Sequence, residues 1–242
     1  VEKSVYVQAN WPPERAADEA AWIENLALET GWPHGLVAYA DMTVEDARPV
    51  LDRLMRFPRL RGIRQQLHWH ANPQYRFADR ADLCADPALR RNVARLADYG
   101  LVFDLQVFAG QMAGAAELAA SCPRVTFVLQ HAGMLEDLSP AGRAAWRAGM
   151  ALLAACPNVV AKLSGFGTFI HRNDADHIGW LIGETVGLFG ADRCLWGSNF
   201  PIEKLWTGYG ALLDAHRRGA GGLSAAEREA IFVNTACRVY RL

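Results

Sequence analysis

The chain has 242 residues, 51% hydrophobic and 21% charged, enough to bury one large core, and a single domain over residues 1–242 is expected. Twenty-five Lys and Arg against 26 Asp and Glu leave a formal charge of -1. No basic stripe with interleaved aromatics is present, which argues against nucleic-acid or membrane-surface binding and for a small-molecule partner. No apolar run approaches the ~18 residues of a membrane helix, and the front of the chain lacks the basic-then-apolar pattern of an export signal. Five cysteines, an odd number without a Cys-x-x-Cys pair, read as buried free thiols of a reducing, cytoplasmic compartment.

In chain order, short runs rich in β-branched and aromatic residues alternate with helical patterns. The predicted strands fall at residues 4–10, 36–41, 60–67, 101–108, 125–131, 158–165 and 194–201. Helices are predicted between them at 13–30, 46–57, 87–99, 110–120, 140–155 and 175–189. A capping box, Ser224-Ala-Ala-Glu227, opens a final helix through Ile231, Phe232 and Val239, and that terminus reads as complete. The front, which enters a strand soon after Val1 without turn chemistry, reads as cut.

Strict alternation implies parallel strands joined by crossover helices, which leaves an open doubly wound sheet or a (β/α) barrel short of one unit. Side chains at i and i+2 share a face, so Gln8 with Asn10, Arg64 with Gln66 and His68, Asp104 with Gln106, and Lys162 with Ser164 align late in their strands. Ile63, Leu67, Phe103 and Leu105 occupy the opposite faces. Polar groups at every strand end build a barrel mouth, whereas an open sheet gathers them at one switch point. The expected fold is therefore α/β, a (β/α)8 TIM-like barrel with seven strands present and the first missing from this chain. Such a barrel exposes two sheet edges, and if it is a non-catalytic binding or oligomer-forming subunit, a stable homo-oligomer or a capping segment over the gap is expected.

Several motifs carry chemistry. His131, in Gln130-His-Ala-Gly133, closes a buried run; a neutral imidazole there can ligate a metal, take a proton or polarise a carbonyl, or it is a satisfied core histidine. Asn199 lies in Gly197-Ser-Asn-Phe-Pro201, where a tight turn flanked by Trp196 and Phe200 can aim a short polar side chain into a pocket; the alternative, which the motif alone favours, is a plain strand-to-loop turn. Arg64 with Gln66 offers a planar fork for a carboxylate or lactone carbonyl, or pairs with a nearby Asp. Lys162, in an otherwise apolar strand, needs a partner such as Asp104 or a bound anion. The pair His68 and His70 lacks a third ligand at a telling spacing and reads as exposed or loop-anchoring rather than as a metal site. No phosphate-loop or dinucleotide fingerprint is present, so no nucleotide cofactor is expected.

Taken in order, Arg61-Gly-Ile-Arg-Gln-Gln-Leu-His-Trp-His70, Phe127-Val-Leu-Gln-His-Ala-Gly133, Asn158-Val-Val-Ala-Lys-Leu-Ser-Gly165, Trp196-Gly-Ser-Asn-Phe-Pro201 and Asn234-Thr-Ala-Cys-Arg-Val-Tyr240 resemble the lactonase-type branch of the amidohydrolase superfamily. Relatives there include sugar-lactone and pyrone-dicarboxylate hydrolases and, further off, decarboxylases. The resemblance spans nearly the whole chain and implies a distorted (β/α)8 barrel, with or without a divalent metal such as zinc or manganese. It places the family's strand-six histidine on His131, as catalytic residue and candidate metal ligand, and its strand-eight acid on Asn199. The family's first-strand His-x-His pair has no counterpart in these residues, and a carboxamide at Asn199 orients by hydrogen bonds where a carboxylate takes protons.

The resulting expectation is a hydrolase of small carboxylated lactones. His131 polarises the carbonyl, Asn199 orients water, Arg64 and Lys162 hold a substrate carboxylate, and Gln66, Gln106 and Ser164 add hydrogen bonds. The rivals are a metal-dependent decarboxylase or amide hydrolase on the same barrel, and a degenerate barrel retained as a binding or oligomer-forming subunit.

Overall fold

A computed structural model describes residues 1–242. Each of the seven predicted runs holds one strand: β1 (Val5–Val7), β2 (Gly35–Ala38), β3 (Leu60–Gln66), β4 (Val102–Gln106), β5 (Phe127–Leu129), β6 (Val159–Leu163) and β7 (Cys194–Trp196). They form one sheet whose spatial order is the chain order, every neighbouring pair parallel. An order that never reverses excludes the doubly wound alternative, which turns back at a switch point.

The sheet is curled. Inward side chains Val37 of β2, Val102 of β4, Val128 of β5, Val160 of β6 and Leu195 of β7 meet in one apolar cluster. In a flat sheet β2 and β7 would stand five strand spacings, roughly 24 Å, apart. The other parity faces the helices: Ile63, Leu67, Phe103, Leu105, Phe127, Leu129 and Leu163 belong to the larger outer core.

The strand edges β1 and β7 do not pair with each other. The chain's own last helix approaches both: Val239 and Tyr240 join the inward valine layer, and Leu242 packs beside Val5 and Gly35. A capping segment, one of the two devices expected at the edges, is thus built into the fold.

Six predicted helices are present as α1 (Ala16–Thr30), α2 (Arg48–Leu54), α3 (Pro87–Arg95), α4 (Met112–Ser121), α5 (Pro140–Ala154) and α6 (Ala175–Phe189). Their starts have physical causes: Asp86, Ser139 and Asp174 accept hydrogen bonds from the free N–H groups of α3, α5 and α6. A seventh, α7 (Tyr209–Gly219), was not predicted, because Gly208, Gly210 and Gly219 give it the local composition of a loop. The final helix is broken in type, α8 (Ala225–Glu229) and α9 (Thr235–Tyr240) flanking a π turn at Ala230–Asn234. The Ser224–Glu227 capping box opens it as expected.

Two expectations need correction. β1 stops at Val7, so Gln8 and Asn10 lie beyond it and do not share a strand face; Gln8 is buried, while Asn10 is exposed with φ 58°. The cysteines are all unpaired, but only Cys84, Cys122 and Cys194 are buried, Cys156 and Cys237 being partly exposed. No helix is long and apolar enough to cross a membrane.

Gly62 lets β3 approach β4: a Cβ there would stand 2.6 Å from Val102 Cγ2 and 3.0 Å from its carbonyl oxygen. The β-branched valine has few rotamers to retreat to. Gly62→Ala is expected to lower stability by about 1–3 kcal/mol, read as a shifted urea midpoint at unchanged slope. A wild-type midpoint would show that the strands have slack here.

Candidate active site

Above the valine layer the inward face turns polar. Arg64 on β3, Asp104 on β4 and Lys162 on β6 continue the parity of Gly62, Val102 and Val160. Asp104 has no solvent exposure, and Lys162 retains 8%. Lys162 Nζ donates to Asp104 Oδ2 at 3.4 Å and to Gln130 Oε1 at 3.1 Å, while the Tyr240 hydroxyl donates to Asp104 Oδ1 at 3.1 Å. The Tyr240 ring lies 5.6 Å from the same ammonium. Arg64 Nη2 donates to the carbonyl of Gln8 at 2.6 Å, and its Nε is buried without a partner. Lys162 thus has the Asp104 partner that the sequence demanded.

Lys162 pairs with Asp104, while Arg64 feels both Asp104 and the buried Glu19. Burial pushes both Lys162 and Arg64 below their ordinary values, with Asp104 pulling each back. Burial also drives the Tyr240 phenol well up, and the adjacent Asp104 adds to it.

His131 sits two residues past the end of β5, where Gln130–Gly133 form a single tight turn. Its backbone is left-handed, φ 54° and ψ 34°, as is that of Ala132. Such conformations cost about 1–3 kcal/mol at a non-glycine residue and persist when their surroundings enforce them. Here Trp146 Nε1 ties the Ala132 carbonyl at 2.8 Å. The His131 ring contacts Ser164 Oγ through Nδ1 at 2.9 Å, and its Nε2 takes no protein partner. A Cβ on Gly165 would lie 2.6 Å from Nδ1, so the Ser164-Gly165 pair shapes the seat of the imidazole. Burial first, then Lys162, Arg64 and His68, drive the His131 pKa down to about 3, a hydrogen bond with the Ser164 backbone opposing. The imidazole is neutral at physiological pH.

Asn199, three residues past β7, is also left-handed, φ 51°. Its Nδ2 donates to Glu203 Oε1 at 3.3 Å. Glu203, which sequence reasoning missed, has no solvent exposure and also accepts from Trp206 Nε1 at 2.5 Å and Thr168 Oγ1 at 3.4 Å. The available signal was spacing, since four residues from Asn199 is one helical turn.

The structure gathers His131, Ser164, Lys162 and Arg64 around the barrel axis. Gln66 instead lines a neighbouring cavity of about 680 Å³, together with Gln8, Trp11, Tyr39, Phe77 and Arg80. Gln106, its register partner on β4, is buried, with Nε2 3.4 Å from Met134 Sδ and Oε1 unpartnered. The reading of His68 and His70 as an exposed or loop-anchoring pair is half corrected. His70 does anchor a loop, accepting the Asn72 N–H at Nδ1, but His68 is buried against Phe77 and Phe108 with Nδ1 unpartnered.

A family model described as Amidohydrolase matches residues 1–242. The chain belongs to the amidohydrolase family. It is 32% identical over 252 residues to an L-fucono-1,5-lactonase of Burkholderia multivorans, covering 99% of this chain and 80% of that protein. An uncharacterized protein of Sinorhizobium fredii, y4mH, is 35% identical over 240 residues with the same coverage. Among solved structures, a Burkholderia multivorans amidohydrolase crystallised with bound zinc superposes with a TM-score of 0.85 at 30% identity, over 99% of this chain and 83% of that one. These similarities set the chain in the lactonase-type branch of the superfamily and make it a hydrolase by family.

The desolvated histidines couple folding to pH. Burial lowers His131 to about 3 and His68 and His216 to about 4, against about 6.5 in an unfolded chain. Below pH 6.5 the unfolded state therefore binds protons that the folded state refuses, and stability falls with pH until the folded values are reached. The thermal midpoint is expected to drop on the order of 10 °C or more between pH 7 and pH 5, measured at constant ionic strength. A midpoint that stays level over that interval would mean that these imidazoles are solvated.

Proposed function

We propose that this protein hydrolyses a small carboxylated lactone, of sugar-lactone or pyrone-dicarboxylate type, by water attack on the ester carbonyl. The observation that carries the reading is the neutral His131, its Nε2 free, in the field of Arg64 and of Lys162, which pairs with Asp104. The 32% identity to an L-fucono-1,5-lactonase supports the choice of a lactone.

The chemistry follows from the donors. With the Ser164 hydroxyl donating to Nδ1, the imidazole carries its proton on Nε2 and presents an N–H to the carbonyl oxygen, where charge develops. Lys162 and Arg64 supply a positive field for that oxyanion and for a substrate carboxylate. Asn199 accepts a hydrogen bond from the attacking water through Oδ1. Water forms the new C–O bond, the ring C–O bond breaks, and the water proton ends on the departing ring oxygen, giving a hydroxy acid. The unpaired cysteines suit a reducing, cytoplasmic setting.

A divalent zinc or manganese ion needs more donors than these residues bring together. No three His, Cys, Asp or Glu side chains converge, and His131 offers one nitrogen where a tight site takes three protein ligands. This donor set does not fit the ion.

His131→Ala is expected to cut kcat on a sugar-lactone substrate about 10²–10³-fold, the usual loss for one oxyanion donor. Because His131 stays neutral down to about pH 3, its titration places no limb in the rate profile near pH 6.5. Wild-type turnover by the variant, or no lactone opened by the native protein, would overturn the reading.

A further inference from the structure

We infer that Glu203 is a positioning residue that fixes the Asn199 carboxamide in one orientation, Nδ2 bound and Oδ1 presented as a hydrogen-bond acceptor. The inference rests on the lactonase reading for its kinetic consequence and on geometry alone for the pairing.

A carboxamide is ambiguous, since its two ends exchange by a half-turn and present a donor or an acceptor to whatever lies in front. Something acceptor-only behind it removes the ambiguity. Glu203 is such a group: Asn199 Nδ2 lies 3.3 Å from Oε1, while Asn199 Oδ1 has no protein partner. The local backbone brings the two together, because the Glu203 N–H donates to the Asn199 carbonyl at 3.2 Å and closes a five-residue turn. The carboxylate itself is immobile. Trp206 Nε1 and Thr168 Oγ1 donate to it, and Gly167 leaves the space, since a Cβ there would stand 2.6 Å from Glu203 Oε2 and 2.3 Å from Trp206 Nε1.

Fully buried and occupied on both oxygens, Glu203 has no route to substrate and acts through Asn199. Burial raises its pKa, with the three donors pulling it back. None of the three donors titrates, and His171 lies against Trp206 with ring centroids 5.7 Å apart. The negative charge that an aspartate would place at Asn199 is thereby moved one turn back, while the acceptor stays in front.

The test is a double-mutant cycle on the full chain, with kcat, KM and thermal midpoint measured for Asn199→Asp, Glu203→Gln and their combination. Glu203→Gln frees the carboxamide to flip and is expected to lower kcat about 10-fold with KM within about 3-fold. Asn199→Asp sets two carboxylates face to face and is expected to lower both kcat and the midpoint. The combined variant exchanges amide and carboxylate, restores one donor facing one acceptor, and is expected to exceed Asn199→Asp by about 10-fold in kcat and to recover the midpoint. Losses that add, in rate and in midpoint, would overturn the inference. If the native protein opens no lactone, the lactonase reading fails while the midpoint cycle still decides the pairing: a recovered midpoint supports it, and additive losses overturn it.

Discussion

The Asp104 carboxylate is the group on which the inside of this barrel depends. It is sealed from water, and two elements remote in sequence meet on it: Lys162 from β6 and Tyr240 from the last turn of the chain. A buried carboxylate without partners would be strongly unfavourable, and so would a buried ammonium. Their pairing holds the strands in register across the barrel axis, and the tyrosine couples the closing helix to the same point. Arg64 adds a second cation, which feels both Asp104 and the buried Glu19. Burial, with the charges of Lys162 and Arg64, keeps His131 neutral.

The residues around this centre are held by strain and by missing side-chain atoms as much as by contacts. His131 and Asn199 both follow the ends of strands and both adopt left-handed backbone. In each case the fold supports the conformation locally, through Trp146 on the Ala132 carbonyl and through the five-residue turn that the Glu203 N–H closes on the Asn199 carbonyl. Glycines stand where a side chain would intrude: Gly165 beneath the imidazole, Gly167 beside the carboxylate, and Gly197 where a Cβ would lie 3.2 Å from Lys162 Cδ. A scaffold of parallel strands is rigid enough to keep such positions, which is why the turns that follow its strands can carry chemistry.

What was legible in the sequence was whatever depends on period. Two-residue alternation separated the inward Arg64, Asp104 and Lys162 from the outward Ile63, Phe103 and Leu105, and the structure keeps that division. Alternation of strand and helix gave the parallel sheet, and the even spread of polar strand ends told a barrel from an open sheet. What stayed hidden depends on contacts between distant residues or on backbone conformation. Tyr240 lies 136 residues from Asp104, and nothing local marks it as a barrel residue. The left-handed turn at His131 follows strand-like sequence without a break, so the strand seemed to run two residues too far. His68 was misjudged because a histidine next to a loop looks exposed until Phe77 and Phe108 fold over it.

Asn199 shows how a departure in one residue is read only with its neighbours. Taken alone, a carboxamide in place of an acid looks like lost function, since it cannot take a proton. Glu203, four residues on, keeps the charge in the structure but behind the amide, buried and saturated by donors. The consequence is electrostatic. A carboxylate at the mouth would offset part of the field of Lys162 and Arg64 and repel an anionic substrate, whereas one buried behind the amide leaves that field open to the mouth. An amide in front and a carboxylate behind therefore suit a site that orients water beside a negatively charged molecule, and Asn199 and Glu203 are best understood as one unit spread over a five-residue turn.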